Sequence, residues 1–375
     1  MLKSYLIIGE YMRTILFTIL FFVFGLTVAA AQETLSVKLN PDKVYIIKSN
    51  NAQHINCDFY FEYSIEDTLE LFRIELRVFN KNNSLIINKY LAYQGLSPSI
   101  LTIPNRTLSK DNPICVYNPF YLFSPDLLIE TLEFKFIFVK SDWDTKIEKT
   151  ITVKPKYVES KTVLVLPIKS VLLIRDGNDF YSHHRRMDLT HMAAKMLGIK
   201  KHSNRFAYDF CPTNEKQETY KNKGELNKEW YGFGANIYAP AGGTVVEAFN
   251  DAIDSKIGQI AFEYKEAIKD NTIMMGNYVI IDHHNGEYST LMHMKRGSLS
   301  VKVGDRVEQG QILGQIGDSG DSFIPHLHYQ LTNGIDIMNS EGIPIYFNNF
   351  QRVQGSKIVA VNKGYLETGE IVKSK

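Results

Sequence analysis

Apolar and polar residues alternate with a period of two through much of this chain. In the first half the alternation is seen in Phe59-Tyr60-Phe61-Glu62-Tyr63, Phe72-Arg73-Ile74-Glu75-Leu76-Arg77-Val78-Phe79 and Leu132-Glu133-Phe134-Lys135-Phe136-Ile137-Phe138. These runs are aromatic and β-branched, and turn-rich pieces such as Asn80-Lys81-Asn82-Asn83-Ser84 separate them. Such runs predict half-buried strands. Short strands at this spacing predict a β-sandwich-like accessory domain over residues 32–155. No cluster of His, Asp and Glu and no glycine-rich loop falls in it. Its aromatics suit core packing better than glycan binding. A linker is expected near Lys154-Pro155-Lys156.

The second half also reads as β, with a domain expected over 156–350. One short helix is predicted from Met187 to Leu197, with Gly198 as its C-cap. The text is β again over Asn236-Ile237-Tyr238-Ala239-Pro240-Ala241-Gly242-Gly243-Thr244-Val245-Val246-Glu247-Ala248, with Pro240-Ala241-Gly242-Gly243 as a turn, then over Gly276-Asn277-Tyr278-Val279-Ile280-Ile281-Asp282-His283 and Glu287-Tyr288-Ser289-Thr290-Leu291-Met292-His293-Met294, with a hairpin signal at Asn285-Gly286 between them. The Lys- and Glu-rich stretch from about Pro212 to Trp230 predicts a long surface loop. Residues 351–375 alternate weakly and read as a tail that adds at most a final strand. The fold class expected is therefore predominantly all-β.

At the N-terminus, Lys3 and Arg13 precede an apolar run from Ile15 to Val28, and Ala29-Ala30-Ala31 closes it. A basic start, an apolar stretch of this length and a small-residue site make a secretory signal peptide over 1–31, which implies a periplasmic or extracellular protein. An uncleaved anchor is the alternative, for which the run is short. Net charge is +1, with no basic patch of the kind that binds nucleic acid. The three cysteines, Cys57, Cys115 and Cys211, leave at least one thiol free; a Cys57–Cys115 bridge stays open.

The candidate chemistry centres on Ile324-Pro325-His326-Leu327-His328-Tyr329-Gln330-Leu331. Residues two apart on a strand share a face, so His326 and His328 project into one space. Two converging imidazoles suit a metal, or one ligand beside one working base. Asp209 lies in an apolar, aromatic strand, where a lone carboxylate is costly unless a cation or several donors meet it. Arg205 or a metal would answer that need. His293 ends the strand Glu287–Met294. His183, His184 and His191 read first as surface or capping polarity.

In order, Phe206-Ala207-Tyr208-Asp209, Ala239-Pro240-Ala241-Gly242-Gly243, Leu291-Met292-His293, Val303-Gly304-Asp305-Arg306-Val307-Glu308-Gln309-Gly310-Gln311 and Pro325-His326-Leu327-His328 resemble the M23 (LytM/lysostaphin-type) zinc metallopeptidases. The resemblance runs from about Arg205 to Leu331. It implies a LytM-like antiparallel β-sheet domain with an open groove, a Zn2+ cofactor, and peptidoglycan peptides as substrate. It implies zinc ligation by Asp209 and His328 and catalysis by His293 and His326. The family's first motif is His-x-x-x-Asp, with both residues on zinc, but Arg205 stands at the His position here, and arginine cannot ligate a cation. The third ligand expected is then His202, entering from the preceding loop. His184 or a degenerate site are the alternatives. A degenerate relative would bind wall peptides or regulate a partner hydrolase. The glycine-punctuated segment Val303 to Gly317 also fits a lipoyl-type carrier, but Met294-Lys295 precedes it rather than lying inside a carrier hairpin. No His-Glu-x-x-His helix and no Gly-x-Ser-x-Gly elbow is present.

Overall fold

The computed structural model describes residues 34–49 and 51–375. The expected signal segment lies outside the described residues. No helix among the described residues is long and apolar enough to cross a membrane. Strands dominate, and two short α-helices, Met192–Met196 and Tyr264–Lys269, are present. The second was not expected. The first is shorter than its pattern predicted, because Asp188 accepts from the Thr190 backbone N–H and His191 accepts from that of Ala193, so the helix starts late.

The period-two runs of the first half build two sheets. Leu35–Asn40, Asp58–Tyr63 and Ile114–Tyr117 form a three-stranded antiparallel sheet, and Thr131–Lys140 lies between Lys146–Val153 and Thr68–Phe79 in a five-stranded one. Their inward faces meet through aromatics. Phe59 and Phe61 pack against Phe134, Phe136 and Phe138 with ring centroids between 4.7 and 5.2 Å apart. These fully buried rings pack at the centre of a core that Leu, Ile and Val side chains complete.

A second, separate core spans Leu164 to Val372. It is organised by an eleven-stranded sheet whose middle runs Val171–Asp176, Tyr208–Pro212, Leu327–Thr332, Tyr288–Met294, Asn277–Asp282 and Gly243–Phe249, all in antiparallel pairs. The expected tail is part of it. Phe347–Gln354 pairs with both Lys357–Gly364 and Ile371–Ser374, and the last of these pairs with Val171–Asp176. Val372 is fully buried, so the weak alternation understated how much of this segment the sheet takes up.

The two halves are in contact. Lys156–Tyr157, in the expected linker, adds in parallel to Tyr45–Lys48. Ile47 joins Phe206, Tyr346 and Tyr365 in a small apolar cluster. Beside it lies a buried ionic cluster of Asp58, Arg185, Arg205 and Glu341.

Candidate metal centre and groove

Two neighbouring strands deliver the centre of the site. Asp209 and His328 are register partners, and the His328 Nδ1 lies 3.1 Å from the Asp209 Oδ1. His328 Nε2 faces the Gln330 Oε1 at 3.2 Å, two residues along on the same face. That contact directs the Nε2 proton to Gln330 and leaves the Nδ1 lone pair toward Asp209.

The third member of this group is His184. Its Nε2 lies 3.4 Å from the same Asp209 oxygen, and its Nδ1 lies 3.2 Å from the Gly177 carbonyl oxygen. The carbonyl can only accept, so Nδ1 carries the proton and Nε2 is free to ligate. Candidate ligand atoms of His184, Asp209 and His328 lie within 4.8 Å of one another. Two imidazole nitrogens and one carboxylate oxygen, each imidazole held by a protein oxygen at its far nitrogen, fit a three-ligand site with one position open.

His202 is not in this group. It is fully buried, and its Nε2 donates to the backbone oxygen of His184 at 2.7 Å. It sits one layer behind the site, where it supports the residue that enters it. The reason is local: residues Ser203–Phe206 form a 3-10 turn rather than an extension of the Asp209 strand, so His202 is carried out of line. Arg205, on that turn, points to Asp58, Glu341, Asn40 and Asn56 and not to the site. Of the other histidines, His191 caps a helix as expected of it.

His326 and His293 stand beside the group. The His326 Nε2 lies 3.4 Å from the Asp209 Oδ1, and its Nδ1 lies 2.8 Å from the Ile324 carbonyl oxygen. His293 Nδ1 lies 2.8 Å from the Ser319 carbonyl oxygen. Both rings therefore keep Nδ1 protonated and turn Nε2 away from the backbone. Their centroids are 4.9 Å apart. His293 has a φ of 61°, and its strand's pairing shifts register close by, between Asn277 and Val279. A bulge of this kind re-aims a side chain at the end of a strand. Gly320, with a φ of 77°, lets the loop that offers the Ser319 carbonyl press against Gly276, where a Cβ would lie 2.4 Å from the Gly276 nitrogen.

The charges are coupled around one carboxylate. Burial pushes the Asp209 carboxyl up, but His184 and His326 outweigh it and hold it well below the usual range. Burial pushes His184 down, yet Asp209 and then Asp176 bring it up to about 9. For His326, too, burial lowers and Asp209 raises, with a net rise. His293 is held well below its ordinary value, first by burial and then by His326 and His328. Burial also lowers His328. A negative charge ringed by imidazoles would suit a cation, and a metal held there would take the place of the proton on His184.

All five side chains line an open groove of about 600 Å³, with Met275, Met292, Phe323 and Ile337 on its apolar walls. Cys57, Cys115 and Cys211 are free and buried.

Part of the chain is similar to known proteins. Residues 231–340 match the family model of Peptidase family M23. The resemblance read in the C-terminal half thus holds. His293, His326 and His328 fall inside the matched residues, while His184 and Asp209 precede them. The peptidoglycan DD-endopeptidase ShyC of Vibrio cholerae is 37% identical over 103 residues, which are 27% of this chain and 20% of that protein. The glycyl-glycine endopeptidase ALE-1 of Staphylococcus capitis is 43% identical over 60 residues, 16% of each chain. The chain thus spans a fifth or less of these curated relatives. Among solved structures, the catalytic domain of the antimicrobial peptidase lysostaphin from Staphylococcus simulans is similar over 33% of this chain and 81% of that one, at 24% identity and a TM-score of 0.22.

Proposed function

We propose that this chain is an exported zinc metalloendopeptidase that hydrolyses peptide bonds of peptidoglycan. The observation that carries the reading is the meeting of His184, Asp209 and His328 around one point, with His293 and His326 beside it on a groove floor. The M23 segment and relatives named for peptidoglycan endopeptidase activity support the substrate class.

A zinc ion held by His184, Asp209 and His328 would supply a Lewis acid for the scissile carbonyl and bring the pKa of water down to about 7. The rest falls to the chain. His293 and His326 each present an Nε2 lone pair, with Nδ1 fixed on a backbone carbonyl. One takes a proton at Nε2 from the attacking water and returns it to the leaving amine. The other, once protonated at Nε2, donates to the oxygen on which charge develops.

A degenerate, non-catalytic relative was the alternative because Arg205 occupies the usual ligand position. His184 offers the missing donor, so that substitution does not argue for an inert protein. The test is incubation of purified peptidoglycan with the zinc-loaded chain, followed by separation of released peptides. New amine termini, absent after chelation and restored by zinc, are expected. Intact peptidoglycan at full zinc occupancy would overturn the proposal.

A further inference from the structure

His184 sits on a 3-10 turn of three residues, His184–Arg186. A turn that short cannot hold a side chain to ligand tolerance by its own hydrogen bonds. Asp176, Gly177, Ser182 and His202 hold it from its own half, and the N-terminal half adds a second set of contacts. The Arg185 guanidinium, 2% exposed, donates to the Asp58 carboxylate and to the Cys57 carbonyl oxygen, the latter at 2.9 Å. The Tyr117 hydroxyl donates to the Arg186 carbonyl at 2.8 Å. Phe180, earlier in the same loop, stacks on Tyr121 at 4.5 Å with 6° between the planes.

Asp58 reaches the other ligand segment too. Its Oδ1 takes Arg185, next to His184, and its Oδ2 takes Arg205 at 2.7 Å. Arg205 stands on the turn that leads directly into the Asp209 strand. One fully buried carboxylate thus ties together the two backbone segments that deliver His184 and Asp209. Burying ions is expensive, and an apolar cluster of equal volume would hold the halves together at least as well. What the ionic cluster adds is direction, because each guanidinium fork fixes its own backbone against a shared acceptor.

We propose that Asp58 is a positioning residue of the metal centre, acting through Arg185, and that the N-terminal half completes this centre rather than only placing the chain on its substrate. The inference rests on reading His184, Asp209 and His328 as the zinc site. Arg205, where the resemblance calls for a ligand, serves the same clamp, so the position has exchanged coordination for support of the ligand that replaces it.

The test uses the full chain with zinc alone as the probe. Zinc affinity is measured by chelator competition, and the thermal midpoint is measured without metal. Asp58→Asn combined with Arg185→Met removes one buried charge of each sign and leaves Arg205 paired with Glu341. Zinc affinity should fall roughly ten- to hundredfold, with the metal-free midpoint close to that of the parent, a combination that a purely structural role would not give. Tyr117→Phe, which deletes one hydroxyl, should shift affinity the same way by less, and it decides the matter alone if the double variant does not fold. Parental zinc affinity in whichever of the two is folded, alongside loss of zinc in His184→Ala, overturns the positioning role only. Parental zinc affinity in His184→Ala itself overturns the zinc reading and this inference with it.

Discussion

Asp209 and His328 face each other across adjacent antiparallel strands, and a single Asp209 oxygen lies within 3.4 Å of imidazole nitrogens from His328, His184 and His326. That oxygen separates the ligand candidates sharply. His184→Ala should bring zinc content of the dialysed protein from stoichiometric to background, as should Asp209→Asn. His202→Gln should leave it stoichiometric, since the His202 ring reaches only the backbone oxygen of His184. Metal analysis after gel filtration reads both. Retained zinc in His184→Ala with loss in His202→Gln would reverse the assignment.

His293 and His326 should behave differently from the ligands. On the proposed mechanism, either His→Ala change would remove a proton carrier and leave the three candidate donors in place. Zinc content should therefore stay unchanged while peptidoglycan hydrolysis falls by roughly 10²–10⁴-fold. A variant that loses metal and activity together would make the residue a ligand instead.

The legible parts of this site were those that a regular strand encodes. His-x-His at 326 and 328 and an Asp inside an aromatic run stand out because strand alternation turns a two-residue spacing into a shared face. The strand aromatics of the first half, Phe59, Phe61, Phe134, Phe136 and Phe138, were legible for the same reason. His184 was not, because its place depends on contacts with Asp58, Tyr117 and Tyr121, far away in sequence. Local spacing cannot report a side chain that arrives on a short turn held from another part of the fold. The doublet His183-His184, directly before two arginines, was the only local sign, and capping explained it equally well. His202 attracted attention through nearness to Asp209 in sequence, which the intervening 3-10 turn cancels.

Arg205 gives a prediction opposite to the one that its position suggests. Arg205→His would restore the usual motif on paper. In the fold, the side chain at 205 is fully buried and faces Asp58 and Glu341, away from the metal site. The variant should gain no second metal. It should lose stability, by less than the roughly 3–5 kcal/mol of a fully unpaired buried charge, because Asp58 keeps Arg185 while the partly exposed Glu341 loses its ion-pair partner. Denaturant unfolding and zinc stoichiometry check the two halves of this expectation, and a rise in bound zinc at unchanged stability would contradict both.

His283 supplies a pH-dependent contribution away from the metal. Its Nδ1 lies 2.8 Å from the Gly242 carbonyl oxygen, and its Nε2 lies 2.7 Å from the Ser289 Oγ. The carbonyl must accept, so the neutral ring keeps its proton on Nδ1. Nε2 then accepts from Ser289, whose oxygen, 2.9 Å from the Tyr329 hydroxyl, accepts in turn from Tyr329. Protonation of Nε2 breaks this chain. Burial lowers the pKa of His283, against the Gly242 hydrogen bond and the charges of Glu287 and Asp282, with His284 acting in the same sense as burial. A base whose folded pKa lies below its unfolded value of about 6.5 stabilises the fold fully above that value and loses the contribution as pH falls toward the folded pKa. His283→Gln keeps a donor and an acceptor but cannot titrate. The thermal midpoint of the parent should therefore exceed that of the variant most near pH 7.5, and the gap should narrow toward about pH 5.5. A gap that widens on acidification would show that the folded protein prefers the charged ring.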